Sequence, residues 1–197
     1  MTVARELGVL LRAAPPRAGR TRVIAIDGRS GSGKSTLAAL LHDELDAPVV
    51  SLEDLYGGWD GLEKGVDLLV SDVLVPLAAG RTARVPRYDW TNGVWGAPAG
   101  LPPPGLLIVE GVGAGVRRAA TYASVLVWIE AADHTRRRRG LDRDGDTYAP
   151  HWERWAAQEA EMLLREGTRD RADVVLSTDL RPGRASLSFE RRPPARR

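Results

Sequence analysis

The chain has 197 residues, of which 43% are hydrophobic and 27% charged, with a net charge of +2 and no cysteine. That length and balance fit one soluble domain with a single buried core. The absence of Cys excludes a disulfide framework and a thiolate metal site. A sequence pI of about 9.3 follows from a small surplus of Arg with little that titrates near neutrality, so no nucleic-acid partner is expected from it. No apolar run approaches the ~20 residues of a membrane span, and Arg5, Glu6 and Arg12 interrupt any apolar leader. A cytoplasmic location with no membrane partner is therefore expected.

Val3, Leu7, Leu10 and Leu11 recur at helical spacing, which predicts an amphipathic helix over residues 2–13, ended by Pro15 and Pro16. Arg22 to Ile26 reads as a short buried strand, and Leu37 to Leu45 as a helix after a Gly-rich turn. Pro48 to Leu52 is a second strand. Val66 to Ala79 is a helix stopped by Gly80 and kinked or shortened by Pro76. Residues 84–105, rich in Gly, Pro and aromatics, read as a hairpin-like excursion in which Tyr88, Trp90 and Trp95 supply mass to bury. Leu106 to Val109 and Ser124 to Ile129 are continuous apolar strands of the doubly covered, parallel kind. Arg136 opens a charged segment, Trp152 to Arg165 is a helix, and Ala172 to Leu176 is a last core strand. Residues 1–180 form one domain, with a helix and linker over 1–20. Residues 181–197 are an Arg/Pro-rich tail with a late strand at most. Strands alternating with helices indicate an α/β fold around a parallel sheet.

Gly28-Arg29-Ser30-Gly31-Ser32-Gly33-Lys34-Ser35 satisfies G-x-x-x-x-G-K-[ST] and is followed by Thr36. The glycines let backbone N–H groups turn inward around phosphate oxygens at the positive end of the next helix. Lys34 is one of two lysines in an otherwise all-arginine cation set, and it would reach the β- and γ-phosphates of ATP. The Ser35 hydroxyl would ligate Mg²⁺. Glu110, at the end of the Leu106 to Val109 strand, is the candidate second metal group. No N-K-x-D guanine-reading tetrapeptide occurs. Glu53 and Asp54, after the second strand, are both candidates for a general base.

The segments Asp27 to Thr36, Ser51-Leu52-Glu53-Asp54-Leu55-Tyr56, Pro86-Arg87-Tyr88-Asp89-Trp90 and Val109-Glu110-Gly111 follow one another as in uridine kinases. Over residues 21–178 the chain resembles the uridine kinase / phosphoribulokinase superfamily, which also holds nicotinamide riboside and pantothenate kinases. The resemblance implies a P-loop fold of five parallel strands flanked by helices, with a small aromatic hairpin over the acceptor site. It implies ATP and Mg²⁺ as cofactors, a small hydroxyl-bearing acceptor with a nucleoside foremost, and an oligomer as one outcome.

The same resemblance puts Glu53 on the base position, usually Asp in the family, with Asp54 adjacent. It assigns Tyr56, Arg87, Tyr88, Asp89, Trp90 and Trp95 to the acceptor side and Asp67 loosely to ribose hydroxyls. It also assigns Arg139 and Arg143 to a phosphoryl clamp. His151, Trp152, Trp155 and Glu159 share a helix side and are placed to close over the substrate. The family's usual His past the aromatic motif is replaced here by Thr91-Asn92-Gly93, which leaves other metabolites open as acceptors. A nucleotide sensor without catalysis is the alternative from another class.

Overall fold

The computed structural model describes residues 2–179 and 188–191. In chain order the elements begin with helix α1 (Val3–Ala13), strand β1 (Arg22–Asp27), helix α2 (Lys34–Leu45) and strand β2 (Val49–Ser51). Helix α3 (Leu62–Leu68) runs through a π-turn stretch at Leu69–Leu74 into α4 (Val75–Ala78). Four short strands follow, β3 (Ala83–Val85), β4 (Tyr88–Asp89), β5 (Val94–Trp95) and β6 (Ala99–Leu101). The second half holds β7 (Leu106–Glu110), α5 (Arg117–Ala120), β8 (Val125–Glu130), α6 (Asp133–Tyr148), α7 (Trp152–Glu166), α8 (Thr168–Arg171), β9 (Val174–Ser177) and β10 (Ser188–Arg191).

The main sheet has the order β10-β9-β8-β1-β7-β2. Its five strands β9, β8, β1, β7 and β2 are parallel, as expected, and β10 adds an antiparallel edge. That strand is the late one allowed for in the C-terminal tail; the rest of residues 181–197 lies outside the described residues.

The strands read as unbroken apolar runs because both sheet faces are covered. Val23 and Ala25 of β1 join one cluster with α3, the π-turn stretch and α7, while Ile24 and Ile26 join the other with α1 and α2. The period of two sorts alternate residues to opposite faces.

The helix expected over residues 66–79 begins earlier, at Leu62, and is widened where Pro76 approaches. Val75 N–H bonds to the carbonyl of Val70, five residues back. A proline ring clashes with the carbonyl four residues before it and offers no N–H, and a π-turn absorbs both defects without ending the helix. The aromatic excursion is a nested pair of hairpins, β3 with β6 and β4 with β5.

Leu41 is fully buried between α2, α1 and the sheet, whereas its neighbour Leu40 is 51% exposed. Leu41→Ala should lower unfolding free energy by about 2–5 kcal/mol through lost burial and a cavity. Leu40→Ala should change it by no more than about 0.5 kcal/mol. Chemical denaturation of the two variants checks the placement of α2.

Candidate active site

The sheet register gathers the polar groups at one edge. Ile26 of β1 and Ser51 of β2 both lie opposite Glu110 of β7, so the carboxyl ends of three adjacent strands meet there, where open α/β sheets bind ligands. β1 ends in Asp27, which is fully buried. Its carboxylate accepts the N–H groups of Gly28 (2.7 Å), Gly113 (2.9 Å) and Gly115 (2.9 Å). It thereby ties the start of the phosphate loop to the segment after β7. Burial pushes the Asp27 carboxyl above its ordinary value, against those three hydrogen bonds and Lys34.

The loop of residues 28–33 then turns into α2. Gly31 has φ of +76°, and a side chain there would overlap the backbone of Arg136 on α6, so only glycine admits this approach. The amides that open α2 are those a helix leaves without intrahelical acceptors, which suits a phosphate. Lys34 is buried, and its Nζ donates to the carbonyl of Arg29 at 3.2 Å.

Glu110 is 3% exposed. Its Oε1 accepts from Ser51 Oγ at 2.6 Å and Ser35 Oγ at 3.3 Å. Its Oε2 is buried without a partner. A buried carboxylate oxygen left bare is costly, and burial accordingly raises the Glu110 carboxyl above its ordinary value despite Lys34 and Ser51. An oxygen of this kind beside the Ser35 hydroxyl fits a hard divalent cation that takes few protein ligands and keeps several waters. No group of three or more His, Asp or Glu able to hold a metal by itself occurs among the described residues.

A cavity of about 340 Å³ adjoins this edge, lined by Lys34, Glu53, Arg143 and an aromatic wall that includes Tyr56, Trp59, Trp90, Tyr148 and Trp155. Glu53 pairs with Arg143 at 3.3 Å, and both side chains are about half exposed (50% and 52%). Trp90 Nε1 donates to the Glu53 carbonyl at 3.0 Å, holding the hairpin over the cavity. Tyr56 lies buried in the wall, with its hydroxyl donating to Val112 O at 2.7 Å. Burial drives that hydroxyl well above the ordinary tyrosine range.

Other candidates fall elsewhere. Asp54 does not line the cavity; burial raises its carboxyl, offset by nearby Arg87. Asp89 holds the hairpin turn, accepting from Thr91 N, Asn92 N and Asn92 Nδ2 rather than orienting Arg87. Those bonds keep its carboxyl below the ordinary range. Tyr88 packs edge-on between Trp90 and Trp95, outside the cavity lining. Trp95 faces a separate groove with Lys64 and Arg84. Asp67 belongs to a surface ion cluster, paired with Arg118 at 3.0 Å beside Glu63. Arg139 turns away from the cavity to Thr178, donating to its Oγ1 at 2.8 Å and its carbonyl at 3.0 Å.

The sequence reading missed Trp59, Tyr148 and Arg136. Trp59 stacks on Tyr148 (ring centroids 5.2 Å apart) and on His151 (4.6 Å). An aromatic between Gly57-Gly58 and Asp60-Gly61 was the available signal. Arg136, 3% exposed, donates to the Ser30 carbonyl at 3.0 Å and to Asp133. Within a run of four arginines nothing local marks the buried one.

No family model matches the chain. It is 44% identical over 59 residues to the cytidylate kinase of Photobacterium profundum, a stretch that is 29% of this chain and 26% of that protein. The chain thus spans about a quarter of that relative's length. Among solved structures, a possible uridine kinase from Bacillus stearothermophilus superposes with a TM-score of 0.64 at 21% identity, covering 87% of this chain and 96% of that one. A putative fructose transport system kinase from Silicibacter sp. TM1040 superposes with a TM-score of 0.56 at 23% identity, covering 87% and 95%. By sheet order, phosphate loop and these superpositions, the chain has the P-loop fold shared by these two structures.

Proposed function

We propose that the chain is an ATP- and Mg²⁺-dependent kinase that transfers the γ-phosphate to a hydroxyl of a small metabolite, with a nucleoside such as uridine or cytidine the leading acceptor. One observation carries this reading: Lys34 of the phosphate loop and Glu53, a carboxylate placed to accept a proton, line the same aromatic-walled cavity. A nucleotide sensor has no use for a base beside an acceptor pocket.

On this reading the α2 amides and Lys34 hold the β- and γ-phosphates. Mg²⁺ would be held by Ser35 and Glu110, and it supplies charge neutralisation on the phosphate oxygens. Glu53 accepts the proton of the acceptor hydroxyl as its oxygen attacks the γ-phosphorus. The bond from γ-phosphorus to the β,γ-bridging oxygen breaks, and ADP leaves with the displaced electron pair. Arg143, paired with Glu53 at 3.3 Å, keeps that carboxylate aimed at the cavity and adds positive charge where the phosphoryl group crosses. The flat rings of Trp59, Trp90 and Tyr148 suit an aromatic base. The surrounding walls exclude water, which would otherwise compete as acceptor.

ADP release from MgATP across a panel of nucleosides, vitamins and sugar phosphates tests the reading. Stimulation by one acceptor supports it. Tight MgATP binding with no acceptor-stimulated turnover overturns it in favour of the sensor. With the acceptor in hand, Glu53→Gln should lower kcat by roughly 10²–10⁴-fold with little change in acceptor KM, while Asp54→Asn stays within a few-fold. Lys34→Ala should lower kcat/KM for ATP by on the order of 10²–10³-fold, since a charge aimed at the transferring group is lost.

Glu110 yields a pH prediction. Its carboxyl is raised from the ordinary 4.5 by burial, so the folded chain holds that proton to higher pH than the unfolded chain does. Where the native state binds more protons, stability falls as pH rises. The loss begins near the ordinary value and is complete above the raised one. Glu110→Gln removes this contribution, so without metal the variant's Tm should gain on the wild type as pH goes from 4 to 8, while its Mg²⁺-dependent nucleotide binding weakens. A constant Tm difference across that range would contradict the assignment of Glu110 as a bare buried acid.

A further inference from the structure

All three polar groups of Ser30 in the phosphate loop are held by α6 and α7. Its N–H donates to Glu159 Oε1 at 2.8 Å, its carbonyl accepts from Arg136 at 3.0 Å, and its Oγ accepts from Trp155 Nε1 at 2.9 Å. Glu159 is 1% exposed. Besides Ser30 N–H, its carboxylate accepts from Trp155 Nε1 at 3.0 Å and Arg29 Nε at 3.2 Å. It therefore reaches three donors, two of them within the phosphate loop. Trp155 also lines the acceptor cavity, and Tyr148, hydrogen-bonded to Ser30 and itself pushed up to about 12 chiefly by burial, lines it too.

We propose that Glu159 is a positioning residue for nucleotide binding: from α7 it presets the Arg29–Ser30 turn of the phosphate loop, with Trp155 joining that turn to the acceptor cavity. This rests on the nucleotide-binding reading of the loop. A backbone cradle binds tightly when its N–H groups need no rearrangement on ligand arrival. Gly-rich chain is the least ordered in that respect. Glu159 and Arg136 hold the two peptide units that flank Ser30, one through its N–H and the other through its carbonyl, so the ordering cost is met on folding, not on binding. The carboxylate faces only donors. A glutamine there has the right shape but must point an NH₂ group at Arg29 or Trp155, so at least one buried donor loses its acceptor.

The test is MgADP affinity by calorimetry, together with the nucleotide-free Tm, for wild type, Glu159→Gln, Trp155→Phe and the exposed-site control Glu161→Gln. MgADP should bind Glu159→Gln about 10–100-fold more weakly, and Trp155→Phe about 3–10-fold more weakly, with Glu161→Gln equal to wild type. A residue that only packs the core would lower the nucleotide-free Tm and leave the affinity of the folded protein unchanged; that result overturns the proposal. Tighter binding by Glu159→Gln also overturns it, because the carboxylate would then be competing with phosphate for the loop. If Glu159→Gln does not fold, Trp155→Phe decides by the same comparison. Wild-type protein that binds no MgADP overturns the nucleotide-binding reading, and this proposal with it. Wild type that binds while both variants bind equally well overturns the proposal alone.

Discussion

The parallel register of β2, β7 and β1 is the constraint on which the rest of the site depends. It sets Ser51 and Ile26 against Glu110, so the chain after each strand leaves the sheet within reach of the other two. The phosphate loop leaves β1, the Glu53 segment leaves β2, and the bare carboxylate ends β7. A slip of one residue in this register would turn Glu110 to the opposite sheet face, away from Ser35 and Ser51. Apolar burial on both faces fixes the register, because Val109 and Ile108 belong to opposite clusters. The chemistry at the edge is thus specified by packing in the interior.

A second layer of support comes from charges placed where few charges are tolerated. Asp27, Glu110 and Glu159 are each at most 3% exposed. Two of them are carboxylates surrounded by donors: Asp27 by three backbone N–H groups, and Glu159 by one backbone and two side-chain donors. Such networks are rigid when every member is satisfied. Glu110 breaks the pattern: its Oε2 lacks a partner, while its Oε1 accepts from Ser35 at the start of α2. The contrast separates two acids whose hydrogen bonds build the site from one whose bare oxygen is free to meet a ligand.

Much of this was legible in the chain. The Walker-type spacing and the apolar strands around it are local patterns, and β1, α2 and β7 form where those patterns lie. Glu53 was separable from Asp54 only by geometry, since the two are adjacent and the structure alone shows which one lines the cavity. Asp67 and Asp89 have in the structure the ordinary uses of acids in helices and hairpins: one pairs with Arg118, and the other accepts the N–H groups of its own turn. Arg136 and Arg139, three residues apart on α6, both reach the phosphate loop, at the carbonyls of Ser30 and Gly31. Consecutive residues on a helix point about 100° apart, so Arg137 and Arg138 between them are exposed, and which face meets the phosphate loop depends on how α6 docks. Trp59 had only its Gly-flanked position as a local signal, because its stacking partners, Tyr148 and His151, lie far from it in sequence.

The central claim is that phosphate held at the α2 amides is delivered into the aromatic cavity. Following MgATP by ³¹P NMR with the protein and a candidate nucleoside tests it most directly. The account predicts a new phosphomonoester resonance that grows in step with ADP, is absent without the nucleoside, and is lost in Glu53→Gln. Growth of inorganic phosphate in place of the ester, with every acceptor tried, would contradict it: the cavity would then admit water and would not be an acceptor site.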